Sequence, residues 1–320
     1  MELYVVLSIF LLLYIKILLP KRLKFLLKAL VNFLKNTSTQ YFLALNNLRL
    51  VKNARIVLPG KMLARLFGIS EPSGGESRTK HQESTSSLLF GSKNTSGFDK
   101  LMLCGPPQSG KTSLLFELAL SFADEEKHVL YICPQKVSKL PLRAPGRAQP
   151  ESGTLKYIQM VYLETREEFL NYLASIHFST SRVFDAIIVD DINEYFPATI
   201  RNEDLPLVAK IFALTVDTFL FQLSKQINQP SGQRQSSILV MSVTVPSGTK
   251  SVPRQSFYER WVQCFLLTQE KGANLFEMSV LPSHTRDSSS LANVVYRIID
   301  QSIVVQEIEY SSQSDGSSTE

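Results

Sequence analysis

Apolar residues along this chain fall into two patterns, and the difference between them lays out the elements. Short, largely apolar runs at 98–104, 128–133, 183–189 and 237–245 have the length of buried strands, 128–133 being apolar enough for a sheet covered on both faces, and 155–162 reads as a further strand. Between them the apolar positions recur at helical spacing. Leu114, Leu115, Leu118 and Phe122 predict a helix over 112–123, and Phe169, Tyr172, Leu173 and Ile176 predict another over 165–178. Thr165 is placed to cap the second, and Glu167 and Glu168 suit its first turn. A long amphipathic helix is expected over 207–226 and further strands over 261–268 and 275–281. An antiparallel hairpin, 294–299 with 303–308, closes the sheet edge. Strands alternating with helices predict an α/β fold: a mostly parallel sheet flanked by helices, ending in an edge hairpin.

Composition divides the chain unevenly. Of its 34 Lys/Arg and 29 Asp/Glu, residues 1–70 hold eleven and one, which leaves 23 against 28 beyond position 70. The net charge of +5 therefore belongs to the start of the chain, and the remainder is mildly acidic. Residues 3–19 are almost wholly apolar, and a Leu/Lys-rich stretch runs from there to Lys35. Residues 3–35 can be read as a short membrane anchor, as an amphipathic segment on a membrane, or as a contact for a partner protein. A Ser-, Gly- and Lys-rich linker is expected over 71–97, so that 1–70 forms a separable extension, 98–308 the main domain and 309–320 a polar tail. Cys104, Cys133 and Cys264 lie far apart in apolar runs, as buried reduced thiols would, and no Cys/His spacing suggests zinc.

The chemistry centres on Gly105-Pro106-Pro107-Gln108-Ser109-Gly110-Lys111-Thr112, between a predicted strand and a predicted helix. Glycine at each end lets the loop turn tightly enough for successive N–H groups to converge on a polyphosphate at the helix start. In such a loop Lys111 reaches the β- and γ-phosphates of ATP and Thr112 offers its hydroxyl to Mg²⁺. The run 183–189 ends at Asp190-Asp191, and a carboxylate there projects from the strand's carboxyl end towards the loop. Asp190 is thus the second expected metal-site residue. Two stretches are rich in cations: Lys136, Lys139, Arg143 and Arg147 in a Pro-rich loop, and Lys250, Arg254 and Arg260 after the strand at 237–245. Each is either a solvated loop or a contact for a phosphate backbone.

The order of these elements resembles the RecA-type ATPase core of homologous-recombination proteins. Residues 105–116, the run Ile187-Ile188-Val189-Asp190-Asp191-Ile192-Asn193-Glu194-Tyr195 and Tyr258-Glu259-Arg260-Trp261-Val262-Gln263-Cys264 narrow the likeness to recombinase paralogues associated with SWIM-type zinc-finger proteins. The likeness covers about 98–308. It implies a nuclear protein that pairs with a SWIM-type zinc-finger partner, binds single-stranded DNA and supports the strand-exchange recombinase in repair and meiosis. Two departures bear on turnover. Where active members carry a water-activating glutamate after the second strand, this chain has Cys133-Pro134-Gln135, and Gln135 can orient a water without taking its proton. Where they carry a γ-phosphate-sensing Asn-Gln, Val243-Thr244 stands here. The expectation is a slow, DNA-stimulated ATPase with Lys111, Gln135 and Asp190 in the catalytic positions. The rival reading, from residues 3–35, is a membrane-tethered P-loop scaffold.

Overall fold

The structure is a computed structural model that describes residues 59–69, 99–137, 139–178, 182–227, 237–283, 292–300 and 302–310. The chain divides into two units, Met1–Ala54 and Arg55–Glu320, and every described residue belongs to the second. The membrane or partner reading of 3–35, the linker 71–97 and the tail from 311 lie outside the described residues.

Among the described residues nine strands form one sheet in the order β3-β2-β4-β5-β1-β6-β7-β8-β9. The parallel part comprises β1 (Lys100–Gly105), β2 (Val129–Cys133), β3 (Ile158–Tyr162), β4 (Ala186–Val189), β5 (Ile238–Thr244) and β6 (Cys264–Gly272). The antiparallel part continues through β7 (Leu275–Pro282), β8 (Ala292–Ile299) and β9 (Ser302–Tyr310). The predicted terminal hairpin is therefore β8–β9. The central strands are covered on both faces, with Leu101 and Leu103 joining one core and Met102 and Cys104 the other, whereas β3 at the end of the sheet is only half-buried.

Over the first face lies α2 (Lys111–Ala123), preceded in the chain by α1 (Pro59–Leu66). A one-turn helix, α3 (Ser152–Leu155), leads into β3. Over the second face lie α4 (Arg166–Ile176) and α5 (Leu205–Ile227), with the short α6 (Gln255–Tyr258) after β5. Thr165 caps α4 as its position predicts: its hydroxyl accepts from the Glu168 N–H at 3.2 Å while the Glu168 carboxylate accepts from the Thr165 N–H at 3.2 Å. Phe116 and Ala119 are both buried in the core on α2.

Several boundaries differ from the sequence expectation: Leu155 closes α3 and β3 begins only at Ile158, and three further differences bear on the core domain. Residues 59–69 are part of the core domain, not of a separable extension, because Met62, Leu63, Leu66 and Phe67 form a narrow apolar stripe that is buried beside α2. Composition hid this stripe among the basic residues of the first seventy. The helix ends at Gly68, whose φ of +63° permits the Ile69 N–H to reach the Ala64 carbonyl at 2.8 Å. A Cβ at Gly68 would stand 2.6 Å from that of Ala144. Next, β6 begins at Cys264 and not at Trp261, because Trp261 leaves the strand line to stack on Phe212 at 5.5 Å. Gln263 then sets the register, its side-chain oxygen accepting from the N–H groups of Asp99 and Lys100 at 2.8 and 3.2 Å. Finally, Glu309 and Tyr310 belong to β9 and not to the tail.

The buried position of Leu63 gives a direct check on the first boundary. Leu63→Ala is expected to lower unfolding free energy by about 2–5 kcal/mol, measured by urea denaturation, as for other fully buried leucines. An independent extension would leave the midpoint unchanged.

Candidate nucleotide-binding site

The parallel strands all deliver their carboxyl ends to one edge. Gly105 at the end of β1 pairs with Thr244 at the end of β5, and Val189, the last residue of β4, pairs with Met241 of β5 and Ile132 of β2. The loop from Gly105 to Gly110 and the start of α2 sit at this edge.

Two glycines are required by the space they occupy. A Cβ at Gly105 would lie 2.7 Å from the Ser109 hydroxyl and 3.1 Å from the Thr268 Cβ. Gly110 has φ +82°, and a Cβ there would press on Ile303 at 3.1 Å and Ile298 at 3.3 Å. Gln108 also takes a left-handed conformation, φ +61°, and it and Pro107 are exposed on the outer curve of the loop. The loop is gripped from the far end of the chain, since the Tyr296 hydroxyl of β8 donates to the Ser109 carbonyl at 2.7 Å. Tyr296 is in turn packed between Phe67, 5.3 Å away, and Phe276, 5.6 Å away.

Lys111 is 7% exposed and its ammonium donates to the Pro106 carbonyl at 3.1 Å. Burial pushes its pKa down, while the carboxylates of Asp191 and Asp190 push it back up. Asp190 is buried at the tip of β4 and surrounded by hydroxyl donors: Ser242 at 2.6 Å, Tyr131 at 3.1 Å, and Thr112. Burial raises its pKa, the neighbouring Asp191 raises it further, and the three hydroxyls oppose the shift. Lys111, Thr112 and Asp190, predicted from sequence as partners, are thus brought together.

Asp191 turns the chain at φ +46°, with its N–H donating to the Ser242 hydroxyl at 2.7 Å. The Thr244 hydroxyl donates to its carboxylate at 2.8 Å, and the Thr244 N–H to the Asn193 side-chain oxygen at 2.8 Å. Thr244 is therefore tied into the tip of the sheet. Gln135 is exposed two residues beyond β2 at the same edge. Burial keeps the thiols protonated, with Cys104 and Cys133 each pushed up to about 12.

The local chemistry fits a nucleotide phosphate and a divalent cation. The Ser109 hydroxyl is buried without a hydrogen-bond partner, a cation rests on a single carbonyl, and Gly105 keeps a close approach open. Among the described residues no three His, Cys, Asp or Glu side chains gather to hold a metal by themselves. A Mg²⁺ here would rest on Thr112, Asp190 and phosphate oxygens, as that ion commonly does.

The two groups of predicted polyanion contacts fare differently. Arg143 and Arg147 are turned inward: their guanidinium groups reach Glu117, 3% exposed on α2, at 2.9 and 3.0 Å, and Arg147 also meets Asp124 at 3.2 Å. This corrects the expectation of an open phosphate contact for both. A carboxylate buried on a helix face demands cations, and the loop folds back to supply them. Lys136 and Lys139 remain exposed. Lys250 is exposed as well. Arg254, exposed with φ +54°, donates to the Ile200 carbonyl at 2.7 Å, and the Arg260 guanidinium lies 5.9 Å from the Phe257 ring centre.

Sequence reasoning missed Tyr131, Ser242 and Tyr296 as parts of the site. Tyr131 and Ser242 sit inside apolar strand runs, where only their polar groups could have signalled a shared buried partner. Glu117 carried a similar signal, an acid inside a leucine-rich stripe.

Fold and loop together define a RecA-like P-loop core with helices on both faces and an antiparallel terminal edge. No family model matches the chain. ATPase SWSAP1 from Mus musculus is 31% identical over 122 residues, which are 38% of this chain and 42% of that protein. ATPase SWSAP1 from Homo sapiens is 29% identical over 119 residues, 37% of this chain and 50% of that protein. The chain spans about half the length, or less, of these curated relatives. The crystal structure of the RadB recombinase aligns with 68% of this chain and 94% of its own at 18% identity and a TM-score of 0.43.

Two outcomes follow from these contacts. Asp190 has a raised folded-state pKa, so its contribution to stability is present below the unfolded value of about 4 and is lost as pH rises through the folded one. Asp190→Asn is expected to be more stable than the parent near neutral pH, the difference closing at low pH. Thermal melts of the two proteins across a pH series measure this. Arg143→Ala, which leaves Glu117 short of a counter-charge, should cost about 3 kcal/mol in denaturant unfolding, and Glu117→Gln in the same background should recover part of it.

Proposed function

We propose that this chain is an ATP-binding accessory protein of homologous recombination whose nucleotide fixes conformation more than it fuels turnover. The observation that carries this reading is the meeting of Lys111, Thr112 and Asp190 beside a glycine-bounded loop, in a chain similar over part of its length to ATPase SWSAP1. When bound, Mg²⁺ supplies charge neutralisation to the phosphates. Lys111 would pair with the β- and γ-phosphates, Thr112 and Asp190 would hold the metal, and the loop N–H groups from Gln108 to Gly110 would line the phosphate path.

Slow hydrolysis follows from the groups next to the site. Gln135 is exposed and has no proton-accepting capacity, and the Thr244 hydroxyl is already engaged by Asp191. In this reading the protein is nuclear, pairs with a SWIM-type zinc-finger protein and supports the strand-exchange recombinase in repair and meiosis. Single-stranded DNA would meet Lys136, Lys139, Lys250, Arg254 and Arg260, the exposed cations, with Arg143 and Arg147 reserved for the fold. Such contacts weaken steeply with salt.

Calorimetry with ATP and Mg²⁺ tests the core of the proposal. The parent should bind one nucleotide, Lys111→Ala should weaken that binding at least about tenfold, and single-turnover hydrolysis by the isolated chain should be slow, with single-stranded DNA raising it only modestly. No uptake by folded protein, or rapid hydrolysis by the isolated chain, would overturn it.

A further inference from the structure

Helix α5 carries more apolar surface than the sheet beneath it covers. The segment Asn202–Gln226 is long and apolar enough to cross a membrane, yet only 39% of its most apolar stretch is buried. Its inward stripe is Val208, Phe212, Thr215, Phe219 and Gln222, all buried. One flank is occupied by α4: the Thr218 hydroxyl donates to the Leu173 carbonyl at 3.5 Å, and His177 lies 3.3 Å from Asp217 and 4.4 Å, ring to ring, from Phe221.

The opposite flank reads Ala209, Ala213, Val216, Leu220 and Leu223, with Ala213 exposed and the others half-buried. At about 100° per residue these five fall within one narrow stripe, uninterrupted by charge. Their spacing alternates four and three residues, the seam that a second helix packs against. Trp261, stacked on Phe212 at 5.5 Å, and Phe257, 5.2 Å from Trp261, add half-buried aromatic surface beside it.

The stripe is graded in size. Alanines stand at its start, leucines at its end and Val216 between them. A second copy turned end over end lays its Leu220 and Leu223 on the first copy's Ala213 and Ala209, large on small, with Val216 meeting Val216. A lipid surface or a parallel copy gains nothing from such a gradient. We propose that this flank of α5 pairs antiparallel with α5 of a second copy of this chain, forming a two-fold dimer centred on Val216. The helix has 23 residues, about 34 Å of length, so its stripe offers a few hundred Å², less than the roughly 800 Å² per partner of a standard interface. Trp261 and Phe257 must join it, and the expected dissociation constant is micromolar.

Sedimentation of the full chain between about 1 and 100 µM should show a monomer–dimer equilibrium, weakened at least about tenfold by Leu220→Lys with nucleotide uptake unchanged. Because Cys104, Cys133 and Cys264 are buried, an added surface cysteine can be read alone. Val216→Cys should give a disulfide-linked dimer on mild oxidation, and Lys210→Cys, on the α4 side of the helix, should not. A chain monomeric throughout that range, or a dimer in which Val216→Cys fails to link, overturns the proposal. Recovery of monomeric protein on phosphatidylcholine vesicles, lost in Leu220→Lys, would assign the face to lipid instead.

Discussion

Asp190 is a carboxylate placed where water cannot solvate it, and the carboxyl edge is arranged around that fact. Three hydroxyls from three elements, Ser242 on β5, Tyr131 on β2 and Thr112 on α2, converge on the side chain just past the end of β4. Each strand tip is thereby located relative to its neighbours by more than the ladder bonds. The same carboxylate and Asp191 act on the ammonium of Lys111, which burial alone would drive towards its neutral form. The lysine is held by the Pro106 carbonyl and the aspartate by the hydroxyls, while the buried Ser109 hydroxyl keeps no partner.

Two further contacts hold that edge from outside the parallel sheet. Glu117 draws Arg143 and Arg147 onto α2, so the loop that follows β2 is anchored to the helix that the phosphate loop opens. Phe67 of the preceding segment packs on Tyr296, whose hydroxyl grips the loop itself. The nucleotide site is therefore bounded by residues from both ends of the core domain, and not only by its central motif.

Much of this could be read in the residues beforehand, and what escaped did so for physical reasons. The phosphate loop and Asp190 were legible because backbone geometry demands glycine at two fixed places and strand ends must carry the acid. The buried strands were legible because both faces are covered. Arg143 and Arg147 were misread because their partner, Glu117, is distant along the chain and its burial cannot be seen in composition. Helix α1 was hidden by the basic residues around it. The start of β6 moved because Trp261 finds a better partner in Phe212 than in the sheet. Spacing reports local periodicity well. It is silent on which polar side chain meets which across the core.

Tyr296 stands 187 residues after the Ser109 carbonyl it holds. During synthesis the phosphate loop leaves the ribosome long before its clamp exists, and the final strands must emerge before the loop acquires its set shape. A chain cut short ahead of β8 would own every residue of the motif and still lack the hand that keeps it open.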